Sequence, residues 1–171
     1  MSKFLIEDRP TLTCMIQART PERVSELIKK GLDGGTDAFA IQIDQLEREY
    51  RTESCYRVFF EKMGGKPVYV TDYRNNMSTG MTDGELADEL LTLAKSGAAL
   101  VDVMSDLYCP SKDEITRDSA ADAKQRELIN KIHSYGAEVL MSSHTYRFLN
   151  FDEVREIAKI QSDRGADIVK I

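Results

Sequence analysis

The segment Gly165-Ala166-Asp167-Ile168-Val169-Lys170-Ile171 sets one lysine into an apolar, β-branched run. A strand of this composition is buried in a sheet, and lysine is almost never buried unless it is paired or put to chemical use. Burial disfavours the ammonium form, so such a lysine can lose its proton near neutral pH and attack a carbonyl carbon. The alternative is a solvated lysine at a strand end. Upstream, Leu140-Met141-Ser142-Ser143-His144 carries an imidazole just past a second apolar run, where it projects over the sheet's end. The alternative there is a histidine capping a loop. Arg74, after Pro67-Val68-Tyr69-Val70-Thr71-Asp72-Tyr73, is a candidate carboxylate clamp or else a solvated arginine. His133, beside Ser134-Tyr135 in a helical stretch, is expected at the surface.

The elements that must position these groups alternate regularly. Thr11 to Gln17, Ala38 to Asp44, Pro67 to Tyr73, Ala99 to Met104, Ala137 to Ser142 and Asp167 to Ile171 are short apolar runs with strand character. Between them lie helical patterns. Thr20-Pro21-Glu22 opens the first, which runs to about Lys30 and stops at Gly31. Leu46 to Met63 is read as the second. Thr82 with Glu85 and Asn150 with Glu153 form capping boxes for two more, and a helix from about Ser119 to Tyr135 ends at Gly136. Asn75 to Gly80 has turn composition and is expected to be a mobile loop.

Composition narrows the class. The 171 residues are 42% hydrophobic and 30% charged, enough for one domain, over residues 1–171, with a real core. The net charge of −6, without any Lys/Arg run, argues against a nucleic-acid surface, so an anionic ligand must be held by a few local cations. The N-terminus lacks the apolar core of a signal peptide, and no stretch of about 18 apolar residues exists to span a membrane. The expected location is the cytoplasm. Cys14, Cys55 and Cys109 are widely spaced and odd in number, which indicates neither a disulfide framework nor a zinc site. A small molecule is therefore the expected partner, with no metal or other cofactor.

Six strands separated by helices imply right-handed βαβ units and a parallel sheet. No GxGxxG follows the first strand and no GxxxxGK[ST] occurs, which leaves an α/β fold of the (β/α)8 barrel type as the better choice over a nucleotide-binding sheet. Such a barrel takes ~250 residues, so two units are missing and the chain reads as a truncated product or a fragment of a longer polypeptide. Unpaired first and sixth strands then invite association, with a homodimer the expected form. Strand parity collects polar residues on one face: Thr11, Thr13 and Gln17; Gln42 and Asp44; Asp72 and Arg74; Asp102; Ser142 and His144; Lys170. Phe39, Ile41, Ile43, Val101, Val103, Val139 and Met141 take the other.

These residues together resemble the type I 3-dehydroquinate dehydratases. The resemblance spans about Thr11 to Ile171 and rests on Thr13-Cys14-Met15-Ile16, Thr71-Asp72-Tyr73-Arg74, Val101-Asp102-Val103, Ser142-Ser143-His144 and the final Gly165 to Ile171 run. It implies a lyase of the shikimate pathway, which leads to the aromatic amino acids, that converts 3-dehydroquinate to 3-dehydroshikimate through a Schiff base. Lys170 would be the nucleophile and His144 the general base and acid. Arg74 would contact substrate, together with Gln42, Asp44 and Ser142. No metal takes part.

The sequence also departs from that family's pattern. Ala40-Ile41-Gln42-Ile43-Asp44 stands where the family has Glu-x-Arg-x-Asp, Ser78 replaces the glutamate that orients the histidine, and Met104 replaces an acidic residue. Each hydrogen-bonding group lost from such a site costs about 1–3 kcal/mol. Two further readings therefore stand beside the dehydratase: a non-catalytic or substrate-altered barrel, and another imine-forming lyase of aldolase type.

Overall fold

The computed structural model describes residues 2–171. The alternation read from sequence folds as strands β1 (Thr13–Ile16), β2 (Ala38–Gln42), β3 (Val68–Thr71), β4 (Leu100–Met104), β5 (Glu138–Ser142) and β6 (Ile168–Lys170), with helices α1 (Pro21–Asp33), α2 (Glu53–Lys62), α3 (Asp83–Ser96), α4 (Ser119–Ser134) and α5 (Phe151–Arg164) between them. All five strand pairings are parallel, and the order is β1-β2-β3-β4-β5-β6. Strands β1 and β6 are not paired, so six strands form an open barrel wall.

Both expected capping boxes are present. Thr82 accepts from the Glu85 N–H while the Glu85 carboxylate accepts from the Thr82 N–H, and Asn150 with Glu153 repeats the exchange. Both helices end on a glycine in the left-handed region, Gly97 at φ 111° and Gly165 at φ 109°. That conformation costs a residue with a Cβ about 1–2 kcal/mol.

Three local expectations are corrected. Gly31 does not stop α1, which continues to Asp33 with Gly34 after it. Gly31 serves close packing: a Cβ there would lie 2.5 Å from the Phe39 ring, so only glycine lets α1 settle onto β2. Leu46 to Met63 is not one helix, because Thr52 caps α2 through the Cys55 N–H and a short 3-10 turn, Arg48–Tyr50, precedes it. The Asn75 to Gly80 segment is tied down. Its Asn76–Ser78 turn is held by Arg48, which donates to the carbonyls of Met77 and Thr79 at 2.6 and 2.8 Å.

The helices pack on one face of the sheet, against Phe39, Ile41, Val70, Val101, Val103, Val139 and Met141. The opposite parity faces inward, where Ala38, Ala40, Tyr69, Leu100 and Leu140 form a smaller cluster closed by Phe4, whose ring meets Tyr69 edge-on at 5.9 Å. The N-terminal segment is thus a plug beneath the strands, fastened by Ser2 and Lys3 to Glu138 and by Lys3 to the Gly136 carbonyl.

Asp72 lies on the helix side of β3, contrary to the expected shared polar face with Arg74. It accepts from Ser78 and sits 3.6 Å from Arg51, with both charged side chains almost fully buried. Burial is the main cause that pushes the Asp72 carboxyl up to about 7, against the Ser78 hydrogen bond and Arg51. The unfolded aspartate titrates near 3.8. Between about pH 4 and 7 the native protein thus holds a proton that the unfolded chain has released. The stability linked to that proton is fully present below about pH 4 and is lost as the pH rises to about 7. Denaturant unfolding should show the protein about 2–3 kcal/mol more stable at pH 5 than at pH 7.5 from this group. In Asp72→Asn that difference should shrink. Identical pH dependence of the two proteins would refute the assignment.

Candidate active site

The inner-face parity brings Tyr69 and Tyr73 from β3 and its exit, Asp102 from β4, Ser142 from β5 and Lys170 from β6 to one place. Asp102 is buried at its centre. Its Oδ2 accepts from the hydroxyls of Tyr69 and, at 2.7 Å, Tyr73; its Oδ1 accepts from Ser142 at 2.5 Å. Lys170 Nζ lies 3.8 Å from Asp102 Oδ2, donates to the Tyr73 hydroxyl at 3.3 Å, and stands 5.9 Å from that ring's centroid. A buried carboxylate needs such donors and a counter-charge. Burial, with Asp102 next, pushes the hydroxyls of Tyr69 and Tyr73 above the ordinary phenol range, so both remain donors.

The expectation of a buried lysine is not met. The Lys170 side chain is 41% exposed, because β6 is the edge of an open sheet and one flank has no neighbouring strand. Its surroundings are set by Asp102 and Tyr73 rather than by loss of water.

His144 stands past the C-terminal end of β5, with its ring edge-on to Tyr73 at 5.3 Å between centroids. Tyr73 therefore touches both Lys170 and His144. Glu114, in the β4–α4 loop, accepts from the His144 backbone N–H at 2.8 Å and lies 2.9 Å from Nδ1. A carboxylate on Nδ1 fixes the tautomer with hydrogen there and leaves Nε2 free to accept a proton. Glu114 holds this position at φ 48°, in the left-handed region, and its carbonyl accepts from Ser143 at 2.8 Å. Backbone strain of this kind costs about 1–3 kcal/mol and gathers at functional sites. The orienting carboxylate whose expected position holds Ser78 is thus supplied from elsewhere. Nothing in the loop's composition pointed to it.

Arg74 is engaged by the protein itself. It makes a two-pronged pair with Asp83 at 2.7 and 2.9 Å and a further bond to Asp106 Oδ1 at 2.7 Å, and it also donates to the Asp106 carbonyl and faces the Met104 sulfur. These two carboxylates hold its guanidinium well above the ordinary value despite the opposing effect of burial.

A cavity of about 670 Å³ opens at this end of the sheet, with Gln42, Tyr73, Arg74, Met104, Glu114 and His144 in its wall. Tyr73 links it to Lys170. Gln42 lines the cavity, its carbonyl oxygen accepting from Gln17. Asp44 and Ser142 are buried instead. Asp44 accepts from Asn76 at 2.5 Å, and Ser142 spends its hydroxyl on Asp102. His133 is at the surface, paired with Asp167 at 2.8 Å. Among the described residues no cluster of His, Cys, Asp or Glu is placed to hold a metal ion, and no helix is long and apolar enough to cross a membrane.

An open wall of parallel β/α units, with a lysine on one strand and a carboxylate-bound histidine just past the end of the strand beside it, defines the class as a β/α-barrel protein. No protein-family model and no curated protein matches the sequence. Solved structures do, and they establish the fold. The 3-dehydroquinate dehydratase from Enterococcus faecalis superposes with a TM-score of 0.80 at 19% identity, over 100% of this chain and 70% of that one. A type I 3-dehydroquinate dehydratase from Clostridium difficile, bearing covalently modified comenic acid, gives 0.77 at 17% identity over 96% and 63%. The deoxyribose phosphate aldolase from Aeropyrum pernix gives 0.57 at 16% identity over 93% and 60%. The chain thus spans about 60–70% of the length of these proteins.

Proposed function

We propose that this chain is a divergent relative of the type I 3-dehydroquinate dehydratases: a lyase that holds a small hydroxylated carbonyl compound as an imine on Lys170 and moves its α-proton with His144. The observation that supports this most is that Lys170 and His144 meet on one residue, Tyr73, beside the cavity. Lys170 Nζ, as the free amine, bonds to the carbonyl carbon, and the carbonyl oxygen, taking one amine hydrogen and one proton from solvent, leaves as water. The resulting iminium lies beside Asp102, which balances its charge. It withdraws electrons from the neighbouring carbon, so that His144 Nε2 can take a proton there. The electron pair left behind expels a β-hydroxyl, to which the imidazolium returns the proton, giving a second water. Hydrolysis of the conjugated iminium frees the product and restores the lysine.

Incubating the intact chain with a millimolar hydroxylated carbonyl compound, 3-dehydroquinate or the uncharged hydroxyacetone, and sodium borohydride, then weighing it and mapping its peptides, should show with at least one of them a single reduced adduct, on Lys170. A label elsewhere, or none with any hydroxylated carbonyl compound, would sink the proposal. A second reading, with the same chemistry on an altered substrate, is favoured by the engagement of Arg74 with Asp83 and Asp106.

A further inference from the structure

We infer that the cavity selects a neutral, hydroxylated carbonyl compound and discriminates against one carrying a carboxylate. The inference rests on the imine reading above and names its substrate class. A guanidinium has five N–H donors. Arg74 directs Nε and Nη2 at the two oxygens of Asp83, Nη1 at Asp106 Oδ1 and the Met104 sulfur, and Nη2 also at the Asp106 carbonyl, which accounts for all five. Both carboxylates are themselves anchored. Asp83 Oδ2 accepts from the Tyr108 N–H at 2.6 Å, and Asp106 Oδ2 accepts from the Ser111 N–H at 2.8 Å. Asp83 also opens α3, where a negative charge is favoured by the helix dipole. The arginine is therefore not a vacant clamp.

Among the residues in the cavity wall, Arg74 is the one lysine or arginine, and Asp106 and Glu114 add two carboxylates. An incoming anion meets more negative charge than positive. Its carboxylate would have to displace an ion pair of three charged side chains held in place by backbone N–H groups. Gln42, Asn75 and Tyr146 supply uncharged polar groups in the same wall, suited to hydroxyls, while the Ser111 hydroxyl is engaged by the Ile115 backbone.

The test is a matched pair of three-carbon probes, hydroxyacetone and pyruvate, each trapped on the intact chain with borohydride. Rates are divided by those of Nα-acetyl-lysine under the same conditions, which removes intrinsic reactivity. In each case the amine displaces the carbonyl oxygen as water, and hydride from borohydride reduces the iminium to a secondary amine. Hydroxyacetone should label Lys170 at least tenfold faster than pyruvate after that correction. Asp106→Asn, which removes one carboxylate from the guanidinium, should narrow the difference several-fold. Pyruvate trapped as fast as hydroxyacetone, or a difference untouched by Asp106→Asn, overturns this inference and leaves the imine reading standing. Labelling of Lys170 by neither probe overturns both.

Discussion

Lys170→Met should abolish carbonyl trapping and lower any lyase turnover by at least about 10⁴-fold, equivalent to about 5 kcal/mol of transition-state stabilisation. Methionine keeps the length and apolar stem of lysine but has no amine to bond to carbon. The substitution is also structurally mild, which makes the experiment decisive. Asp102 keeps the hydroxyls of Tyr69, Tyr73 and Ser142, so removing the ammonium does not strand a bare carboxylate. Lys170 is substantially exposed, and its contact with Asp102 is 3.8 Å. Asp102 is buried but Lys170 reaches solvent, and with three hydroxyls still donating to the carboxylate the loss should stay near about 1–2 kcal/mol, so the melting temperature should move by only several degrees. A variant that melts with the native protein yet retains turnover would remove Lys170 from the mechanism.

His144→Ala should lower turnover by about 10²–10⁴-fold while leaving borohydride trapping on Lys170 largely intact. Imine formation and proton removal are separate steps, and only the second uses the imidazole. Glu114→Gln is the companion measurement. It keeps the side chain's size and an acceptor for Nδ1 but removes the charge that stabilises an imidazolium. It should lower kcat by about tenfold or more with KM little changed. Turnover unchanged in His144→Ala would contradict the role given to His144.

Much of this was legible in the chain. Thr82 with Glu85 and Asn150 with Glu153 set their helices through local hydrogen bonds, and local chemistry is what sequence spacing records. The parity of β2, β4, β5 and β6 placed Gln42, Asp102, Ser142 and Lys170 on the inner face because each strand has a clean apolar face opposite. Strand β3 misled. Tyr69 and Tyr73 carry their polar atoms at the tips of apolar rings, so a hydropathy pattern favours Asp72, whose side chain faces Arg51 instead. Glu114 and Asp106 were silent for another reason. They act from the β4–α4 loop across 30 and 32 residues, at positions set by turns rather than by any period. The Leu46 to Met63 segment reads as helical throughout, yet Arg51 is drawn into the buried cluster behind β3 and Thr52 starts α2 afresh.

The strands follow one another across the sheet in sequence order, so every pairing joins neighbours in the chain. Closing each connection orders about 30 residues, a modest loop entropy that grows only logarithmically with length. The hydroxyl cage around Asp102 uses only β3 with its exit, β4 and β5, and is complete once those three are side by side. Lys170 joins that cage through the pairing of one three-residue strand. Local opening of β6 uncouples the amine from Asp102 and Tyr73 while the rest of the sheet stays folded. Amide hydrogen exchange along that strand is thus a direct gauge of how often the nucleophile leaves its post.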